Sequence, residues 1–450
     1  MKTRLRNMWE LVRTSLWFTP ALMVSSAIVL SVALVTADEM LDVDPHDVFA
    51  FVYNVGPDGA REVLSTIAGS IMTVAGVAFS VTIVALTLAS SQFGPHVLRN
   101  FMKDKGNQFV LGTFIATFIY CLLVLRTIHT VGDSDFVPAI AVTFAMVLAI
   151  VNVGVLIFFV HHISVAIQAD TVISSIFHEL VEDLHRLFPE ELGEEPPENE
   201  NNAAPQPIPE DWPQADYVNA PRSGYLQAID SENLMETARK HDLLLYLRYR
   251  PGDYIAAGSS LATVRCGEKL DRHLAESMAK SFIVGSQRTP EQDAEFGIHQ
   301  LVEVAVRALS PSINSPYTAI TCVDRLGSVL CFLTRSEFPS SCRYDDDGQL
   351  RVIARPMTFS GITNAAFDQI RQYGRTSVAV TVRLLETLRR VAAETRTSEQ
   401  KHAIGRQADM IARGARESLP EKNDVEDVQQ RYQTVLDTLK SHDLAVAVSR

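Results

Sequence analysis

The distribution of apolar residues divides the chain into two halves. Before residue 163 long stretches carry no charge, whereas charged and apolar residues alternate after it, as in water-soluble proteins. A helix of about 20 apolar residues spans a bilayer, because ~30 Å of hydrocarbon is crossed at ~1.5 Å per residue. Four stretches reach this length, at about 16–36, 63–90, 109–128 and 136–160. The pattern predicts an α-helical membrane protein with four transmembrane helices within residues 1–162.

The charges of the intervening loops predict an orientation in the membrane. The basic side chains that precede the first helix or separate the second from the third are Lys2, Arg4, Arg6, Arg13, Arg99, Lys103 and Lys105. The loop after the first helix is acidic, and it includes Asp38. Because basic loops stay on the cytoplasmic side, we expect both termini to be cytoplasmic. An alternative for the first helix is a signal peptide cleaved after Ala37, although its apolar run is long for one.

The water-soluble half is predicted to be an α+β cytoplasmic domain. Helical periodicity continues past the membrane through 163–188, and the acidic, proline-rich stretch 189–222 is typical of a linker. Strands are expected at 224–230, 243–249, 254–264 and 350–354. Helices are expected at 231–240, 315–333 and 362–394, and from a capping box at Thr289–Gln292 to about 309. The charged residues 396–450 are predicted to form a helical, peripheral tail after a domain that ends near 395.

The second membrane helix differs from the other three in its polar residues. Hydroxyl and β-branched residues recur on one face at helical spacing, namely Thr66, Ser70, Thr73, Val77, Ser80, Val84, Thr87 and Ser91. Several copies of the chain would form a hydroxyl-lined pore for ions if they brought these stripes together. Tight packing against another helix is the alternative, because small and hydroxyl residues allow close helix contacts in membranes.

Other candidate chemistry is sparse. Asn152 is interpreted as an interhelical hydrogen-bonding residue, and we expect no buried carboxylate within the spans, which argues against a proton-coupled pump. His178, Glu182 and His185 share a helix face, but a solvated polar face explains them without a metal. We find no P-loop, HExxH, GxSxG or dinucleotide-binding motif, and therefore predict no enzymatic activity, no cofactor and no metal site.

Net charge and cysteine content narrow the partners and the compartment. A formal net charge of −13 argues against nucleic-acid binding, which needs basic surface to neutralise phosphates. The five cysteines contain no CxxC pair, and unpaired thiols suit a reducing compartment. The expected partners are the lipid bilayer, ions, and further copies of the chain in a homo-oligomer.

Several separated motifs resemble one bacterial family of predicted four-span membrane proteins with a domain of unknown function. They are SQFGP at 91–95, GYLQAID at 224–230, RTPEQD at 288–293 and ALSPSINSPYTA at 308–319. The family pattern ALSPGINDP has a glycine and an aspartate where this chain has Ser312 and Ser315. The resemblance implies the four-span topology and a bacterial inner membrane, and it implies no established activity.

The polar residues of the two soluble motifs are the second candidate site. They are Arg288, Glu291, Asp293, Ser310, Asn314 and Thr318. One interpretation is a ligand pocket or a subunit contact. The other is that they cap and connect helices, as Ser-Pro pairs commonly do. For the whole protein, an oligomeric channel or passive transporter with a cytoplasmic regulatory domain is our first hypothesis, and a membrane-anchored scaffold or sensor is the alternative.

Overall fold

The computed structural model describes residues 17–41, 57–95, 104–131, 134–188, 215–267 and 269–448, in two units, 1–172 and 173–450. The membrane unit contains four long helices and a short hairpin of strands β1 and β2. The helices are α1 (Phe18–Leu41), α2 (Pro57–Phe93), α3 (Lys105–Thr127) and α4 (Ala139–Ala166), and the antiparallel strands are His129–Val131 and Ser134–Phe136. All four helices are long and apolar enough to cross a membrane. The four-helix prediction is confirmed.

Helix α3 occupies the centre of this unit and packs against α1, α2 and α4. Its buried side chains include Phe114 and Tyr120, whose hydroxyl donates to the Ala141 carbonyl oxygen at 2.9 Å. Gly112 allows α1 to approach closely, since a Cβ there would lie 3.1 Å from the Pro20 Cα. Helix α2 is the longest, with 37 residues, or about 55 Å at ~1.5 Å per residue.

Asp38 contradicts the expectation that the spans hold no buried carboxylate. Helix α1 continues to Leu41, and so it carries Asp38 inside the packed unit, where only 8% of the residue is exposed. Its two carboxylate oxygens accept hydrogen bonds from the backbone N–H groups of Ile140 at 3.0 Å and Ala141 at 3.1 Å. A carboxylate here satisfies N–H groups that lack partners within the helix at the start of α4.

The second unit begins within α5 (Ala169–Leu187), the predicted connector helix. Its buried residues include Ile173, Ile176, Leu180 and Leu184. Leu180 packs against Gly297, where a Cβ would come within 3.0 Å of the Leu180 Cβ. The apolar stripe of the connector is therefore buried against helices of its own chain.

Two small sheets follow the connector. One has the order β3-β7-β5-β10-β9, and the other has the order β6-β4-β8. Their strands are β3 (Asp216–Asn219), β4 (Gly224–Ile229), β5 (Leu244–Leu247), β6 (Tyr254–Ile255), β7 (Ser260–Arg265), β8 (Phe282–Gly285), β9 (Cys342–Tyr344) and β10 (Leu350–Ile353). Helices α6 (Ser231–Lys240) and α7 (Arg272–Ala279) accompany them. The predicted strand at 254–264 is two strands, because Gly258 has φ +82° and turns the chain between the sheets.

Two local predictions in this region are wrong. Strand β3 lies in the stretch assigned to the linker, where it pairs antiparallel with β7, while residues 189–214 lie outside the described residues. The capping box at Thr289–Gln292 does not open a helix, since the next helix begins at Glu295. The Gln292 side chain instead bonds both backbone groups of Ile229, accepting from its N–H at 2.9 Å and donating to its carbonyl at 3.1 Å.

The remaining helices form a bundle. They are α8 (Glu295–Ala308), α9 (Pro316–Arg335), α10 (Phe359–Gly374), α11 (Val378–Ala392), α12 (Ser398–Ser418) and α13 (Lys422–Val448). Helices α12 and α13 come from the stretch predicted as a peripheral tail, but α12 packs against α10 and α11, and α13 against α11. The buried face of α12 includes Ala403, Ile404, Ala408 and Ile411. These helices complete the bundle. The fold class, four apolar helices followed by an α+β region, is as predicted.

Candidate functional site

The predicted stripe of α2 lies on the face that is exposed among the described residues. All eight of its residues are exposed, including Val77 at 60% and Val84 at 65%. The opposite face of α2 is buried, and six of its nine buried residues are alanines. At about 100° per residue, the centres of the two faces are almost diametrically opposed. Alanines therefore provide the close packing of α2 within the chain, and the hydroxyl residues take no part in it.

Three of the stripe hydroxyls donate hydrogen bonds to carbonyl oxygens of their own helix. Thr73 donates to the Gly69 carbonyl at 2.9 Å, Thr87 to the Ile83 carbonyl at 2.9 Å, and Ser91 to the Leu88 carbonyl at 2.8 Å. Such bonds leave the oxygen lone pairs directed away from the helix and available to an outside donor or ion. Next to the stripe, Gly69 and Gly76 have nothing within 4 Å of where a Cβ would stand. The surface around the stripe is consequently smooth and open.

Glu62 extends this face beyond the first hydroxyl residue. It precedes Thr66 by four residues and is therefore on the same side of the helix. A shallow cavity of about 310 Å³ is lined by Gly59, Glu62, Val63, Thr66 and Ile67. The predicted helix begins at residue 63 and so leaves Glu62 in the preceding loop, whereas the helix of the structure begins at Pro57. The spacing to Thr66 was the available signal that it continues the stripe.

A second set of polar residues lies inside the membrane unit. Asn152 on α4 donates to the Thr117 hydroxyl of α3 at 2.8 Å and to the Leu148 carbonyl at 2.7 Å, which confirms its interhelical role. Gln108 accepts from the Thr19 hydroxyl at 2.7 Å. The side-chain oxygens of Asn107 and Asn152 are buried without a hydrogen-bond partner. These contacts join α3 to its neighbours.

A contact between a histidine and a carboxylate joins the start of α3 to the end of α4. Nε2 of His162 lies 2.7 Å from one oxygen of Asp104, and the other oxygen of Asp104 accepts from the Gly106 N–H at 2.7 Å. The His162 ring also stacks on Phe158, with ring centroids 5.3 Å apart. A Cβ at position 106 would stand 2.5 Å from His162 Nε2, so only glycine fits beneath the ring. No local pattern in the sequence predicts this contact, because the two residues are 58 positions apart.

The six candidate residues of the two motifs in the second unit lie in two groups, one at each end of α8. Before its start, Arg288 donates to Asp293 through Nη2 at 2.7 Å and Nε at 2.8 Å, and its Nη1 lies 2.8 Å from His299 Nδ1. Asp293 is only 2% exposed, and burial raises the pKa of its carboxyl despite the opposing effect of Arg288. Glu291 lies in the same loop, and Glu295 on the first turn of α8 accepts from Arg250 at 2.7 Å. This group is a buried structural ion pair with a neighbouring histidine.

The other three residues lie in the turn between α8 and α9. Asn314 has φ +47° and its N–H donates to the Ser310 carbonyl at 2.8 Å. The Thr318 hydroxyl lies 2.9 Å from that of Ser315, the residue before Pro316. Because α8 spans 14 residues, or ~20 Å at ~1.5 Å per residue, Ser310, Asn314 and Thr318 do not meet Arg288 and Asp293. The six residues therefore form two separate groups, and each connects helices.

The metal candidates of the connector helix also have local partners. His178 Nδ1 lies 2.6 Å from the Ser174 carbonyl oxygen, and the His185 ring packs edge-on against Phe332 with centroids 4.6 Å apart. Among the described residues no group of three or more histidine, cysteine or acidic side chains is placed to hold a metal ion.

Comparison with known proteins identifies relatives of this chain, and their descriptions state no activity. Uncharacterised proteins of Mycobacterium tuberculosis (strain H37Rv) and Mycobacterium bovis are each 30% identical over 438 residues, covering 94% of this chain and 80% of the relative. No solved structure matches the chain. A family model described as predicted membrane protein (DUF2254) matches residues 13–390. The chain belongs to this family of predicted membrane proteins.

Proposed function

We propose that this membrane protein is a homo-oligomeric channel or passive transporter whose pore is lined by the α2 stripe. The observation that carries the proposal is the open position of the stripe, whose eight residues face away from α1, α3 and α4. Serine, threonine and glycine interact weakly with lipid chains. They interact more favourably with a second protein surface or with water. In a ring of chains these faces would enclose a hydroxyl-lined path about as long as a bilayer is thick.

Glu62 favours cations as the permeating species. In an oligomer, the Glu62 side chains would form a ring of negative charge at one end of the stripe, which raises the local concentration of cations. The loop charges described above favour an orientation in which that end lies outside the cytoplasm. The protein then lies in the bacterial inner membrane with both termini cytoplasmic, and the α+β unit serves as a cytoplasmic, non-enzymatic regulatory domain.

Flux measurements with cysteine substitutions test the pore. Purified protein in liposomes should pass K⁺, and a charged, membrane-impermeant thiol reagent should reduce the flux of Thr73→Cys and Ser80→Cys. Phe79→Cys is the matched control, because Phe79 is 54% exposed but lies about 100° around the helix from its neighbour Ser80, off the stripe. The native Cys121 of the membrane unit is fully buried, and the partly exposed Cys266, Cys331 and Cys342 are replaced by serine in all variants to keep the background low. Flux no higher than in protein-free liposomes would overturn the proposal.

The scaffold or sensor alternative uses the same face as a dry interface between copies. Oxidative cross-linking of Ser80→Cys between chains, combined with liposomes that stay tight, would support that alternative. If conduction is found, Glu62→Gln should lower the cation-to-anion permeability ratio. Glu39→Gln is the control, since Glu39 is an exposed carboxylate at the end of α1. An unchanged ratio in Glu62→Gln would reject the assignment of cation selectivity to this residue.

A further inference from the structure

Helices α10 to α12 are basic in a protein that is acidic as a whole. Residues 359–418 contain nine arginines and one lysine against six carboxylates, while the full chain has a net charge of −13. Clustered arginines are more weakly hydrated than lysines, and their planar groups bind phosphate through paired hydrogen bonds. Ordinary helix solubility does not require this bias, because mixed charges would serve equally well. The positions of these arginines therefore indicate where an anion would be attracted.

Three of them line one groove of the helical bundle. The groove encloses about 600 Å³, within the size range of small-molecule sites. Its polar lining residues are Arg371, Gln372, Tyr373, Arg375, Thr381, Arg413 and Glu417. Arg371 and Arg375 are four residues apart and lie on the same side of the end of α10, while Arg413 comes from α12. Two elements far apart in sequence thus bring their guanidinium groups to one groove.

The charges of this groove are poorly neutralised within the protein. Arg375 and Arg413 form no ion pair with any carboxylate in the described part of the chain. Arg371 reaches Asp368 only at 3.5 Å, and the same Asp368 oxygen already accepts from Gln407 at 2.8 Å. The Nε of Arg371 is buried without a hydrogen-bond partner. An anion in the groove would supply the missing acceptors.

A second arginine-lined groove of about 330 Å³ provides the contrast. Its Arg390 pairs with Asp324 at 2.6 Å, and its Arg431 pairs with Glu386 at 3.5 Å. Arg383 lies within 3.8 Å of Asp324 as well. Here Arg383, Arg390 and Arg431 form ion pairs between helices, while the exposed Arg389 forms none in the described part of the chain. Favourable interaction with the carboxyl end of α10 accounts for Arg371 and Arg375 in part, but it does not account for Arg413 on α12.

We propose that the groove between α10 and α12 binds a phosphate-bearing ligand of nucleotide size. The phosphates would lie among Arg371, Arg375 and Arg413. The ring of Tyr373, which is 60% exposed, offers an aromatic face for a base. Glu417 and Gln372 provide acceptors for sugar hydroxyls. The groove would thereby make the soluble unit a ligand-binding unit, and this inference does not depend on conduction by the membrane unit.

Fluorescence anisotropy of a methylanthraniloyl-ATP probe with the full-length protein in detergent tests the site. We expect saturable binding that ATP displaces and that weakens as salt increases. Arg375→Gln combined with Arg413→Gln should reduce the affinity by about 10-fold or more, since charge-assisted hydrogen bonds to phosphate are lost. Both side chains are exposed, so the variant should keep the wild-type melting temperature. Arg383→Gln with Arg389→Gln in the second groove is the matched control, and it should retain the affinity within about 2-fold.

Competition distinguishes the sources of the phosphate. Displacement by ATP but not by phosphatidylglycerol vesicles identifies a soluble nucleotide, and the reverse identifies a lipid headgroup. Displacement by inorganic phosphate alone, with Tyr373→Leu binding the probe normally, would reduce the site to a phosphate site without base recognition and overturn the nucleotide-size assignment. Absence of saturable binding, or an equal loss in the control variant, would overturn the proposal altogether.

Discussion

Two nitrogens of Arg288 share a single oxygen of Asp293, Nη2 at 2.7 Å and Nε at 2.8 Å. The backbone of Gly252 closes over this pair with φ +97°, and a Cβ there would stand 2.5 Å from the shared oxygen. The turn after Arg250 therefore requires glycine for its conformation and for its contact. Both partners of the ion pair lie in the loop before α8, and the turn between β5 and β6 packs against them through Gly252.

Arg288→Ala should destabilise the soluble unit by roughly 3 kcal/mol, because Asp293 would remain buried without its cation. Urea-dependent labelling of Cys322 measures this loss. Cys322 is fully buried, and burial raises the pKa of its thiol, so it reacts only after the bundle opens. Arg272→Ala, which removes an exposed pair at 3.0 Å, is the control and should cost less than ~1 kcal/mol. Equal effects of the two substitutions would contradict the structural role of Arg288.

Asp345 should make the soluble unit less stable as the pH becomes acidic. Its carboxylate accepts from Arg351 Nε at 2.6 Å and from the Gln349 N–H at 2.8 Å, and these bonds lower its pKa. Because this pKa is lower in the folded than in the unfolded state, the ionised carboxylate stabilises the fold at pH values above the unfolded pKa of ~3.9. The contribution is lost as the pH falls through the folded pKa. Asp345→Asn should therefore be less stable at pH 7 and should lose less stability on acidification.

Urea unfolding at pH 7 and near pH 3 checks the Asp345 prediction. Asp346→Asn is the matched control, because Asp346 is adjacent, and its pair with Arg239 at 2.9 Å is largely exposed. The same slope of stability against pH in wild type and Asp345→Asn would show that this carboxylate does not contribute as described.

Asn152→Leu should change the stability of the membrane unit by no more than about 1 kcal/mol. It removes the hydrogen bond to Thr117, worth ~0.6 kcal/mol in membrane proteins, and also a buried oxygen that has no partner. Asn152→Asp should destabilise by ~3 kcal/mol, because it places a charge among the helices. Thermal unfolding in detergent measures both. A loss of flux in Asn152→Leu at unchanged stability would instead make Asn152 part of a transport path.

Removal of residues 396–450 should prevent the soluble unit from folding. The deletion exposes the faces of α10 and α11 that α12 covers, and it removes Gln407, whose amide donates to Asn364 at 3.0 Å and to Asp368 at 2.8 Å. Gel filtration and limited proteolysis check this result, with truncation after Ser441 as the control that retains α12 and most of α13. A monodisperse, protease-resistant product of the longer deletion would show that α12 and α13 are peripheral after all. The family match ends at residue 390, before both helices.

Local pattern was sufficient wherever one element carries its own signal. Uninterrupted apolar length predicted the four spans, since a bilayer demands the same length of every crossing helix. Helical spacing likewise predicted the stripe from Thr66 to Ser91, and proline at the start predicted α9. Each of these features depends on residues within a few turns of one another.

Only the tertiary structure shows which residues distant in sequence contact each other and which faces of the helices are buried. Asp38 caps α4 across 102 residues, and Gln292 bonds Ile229 across 63, so the short-range patterns around both residues were misleading. The six polar residues of the two motifs were grouped as one candidate site from the sequence, but helix α8 separates them into two groups. The sequence by itself determined that α2 has a hydroxyl face. Only the structure shows that the alanine face of α2 packs against the other helices and that the hydroxyl face on the opposite side stays exposed. The pattern of one helix cannot show this, because it does not contain the packing partners.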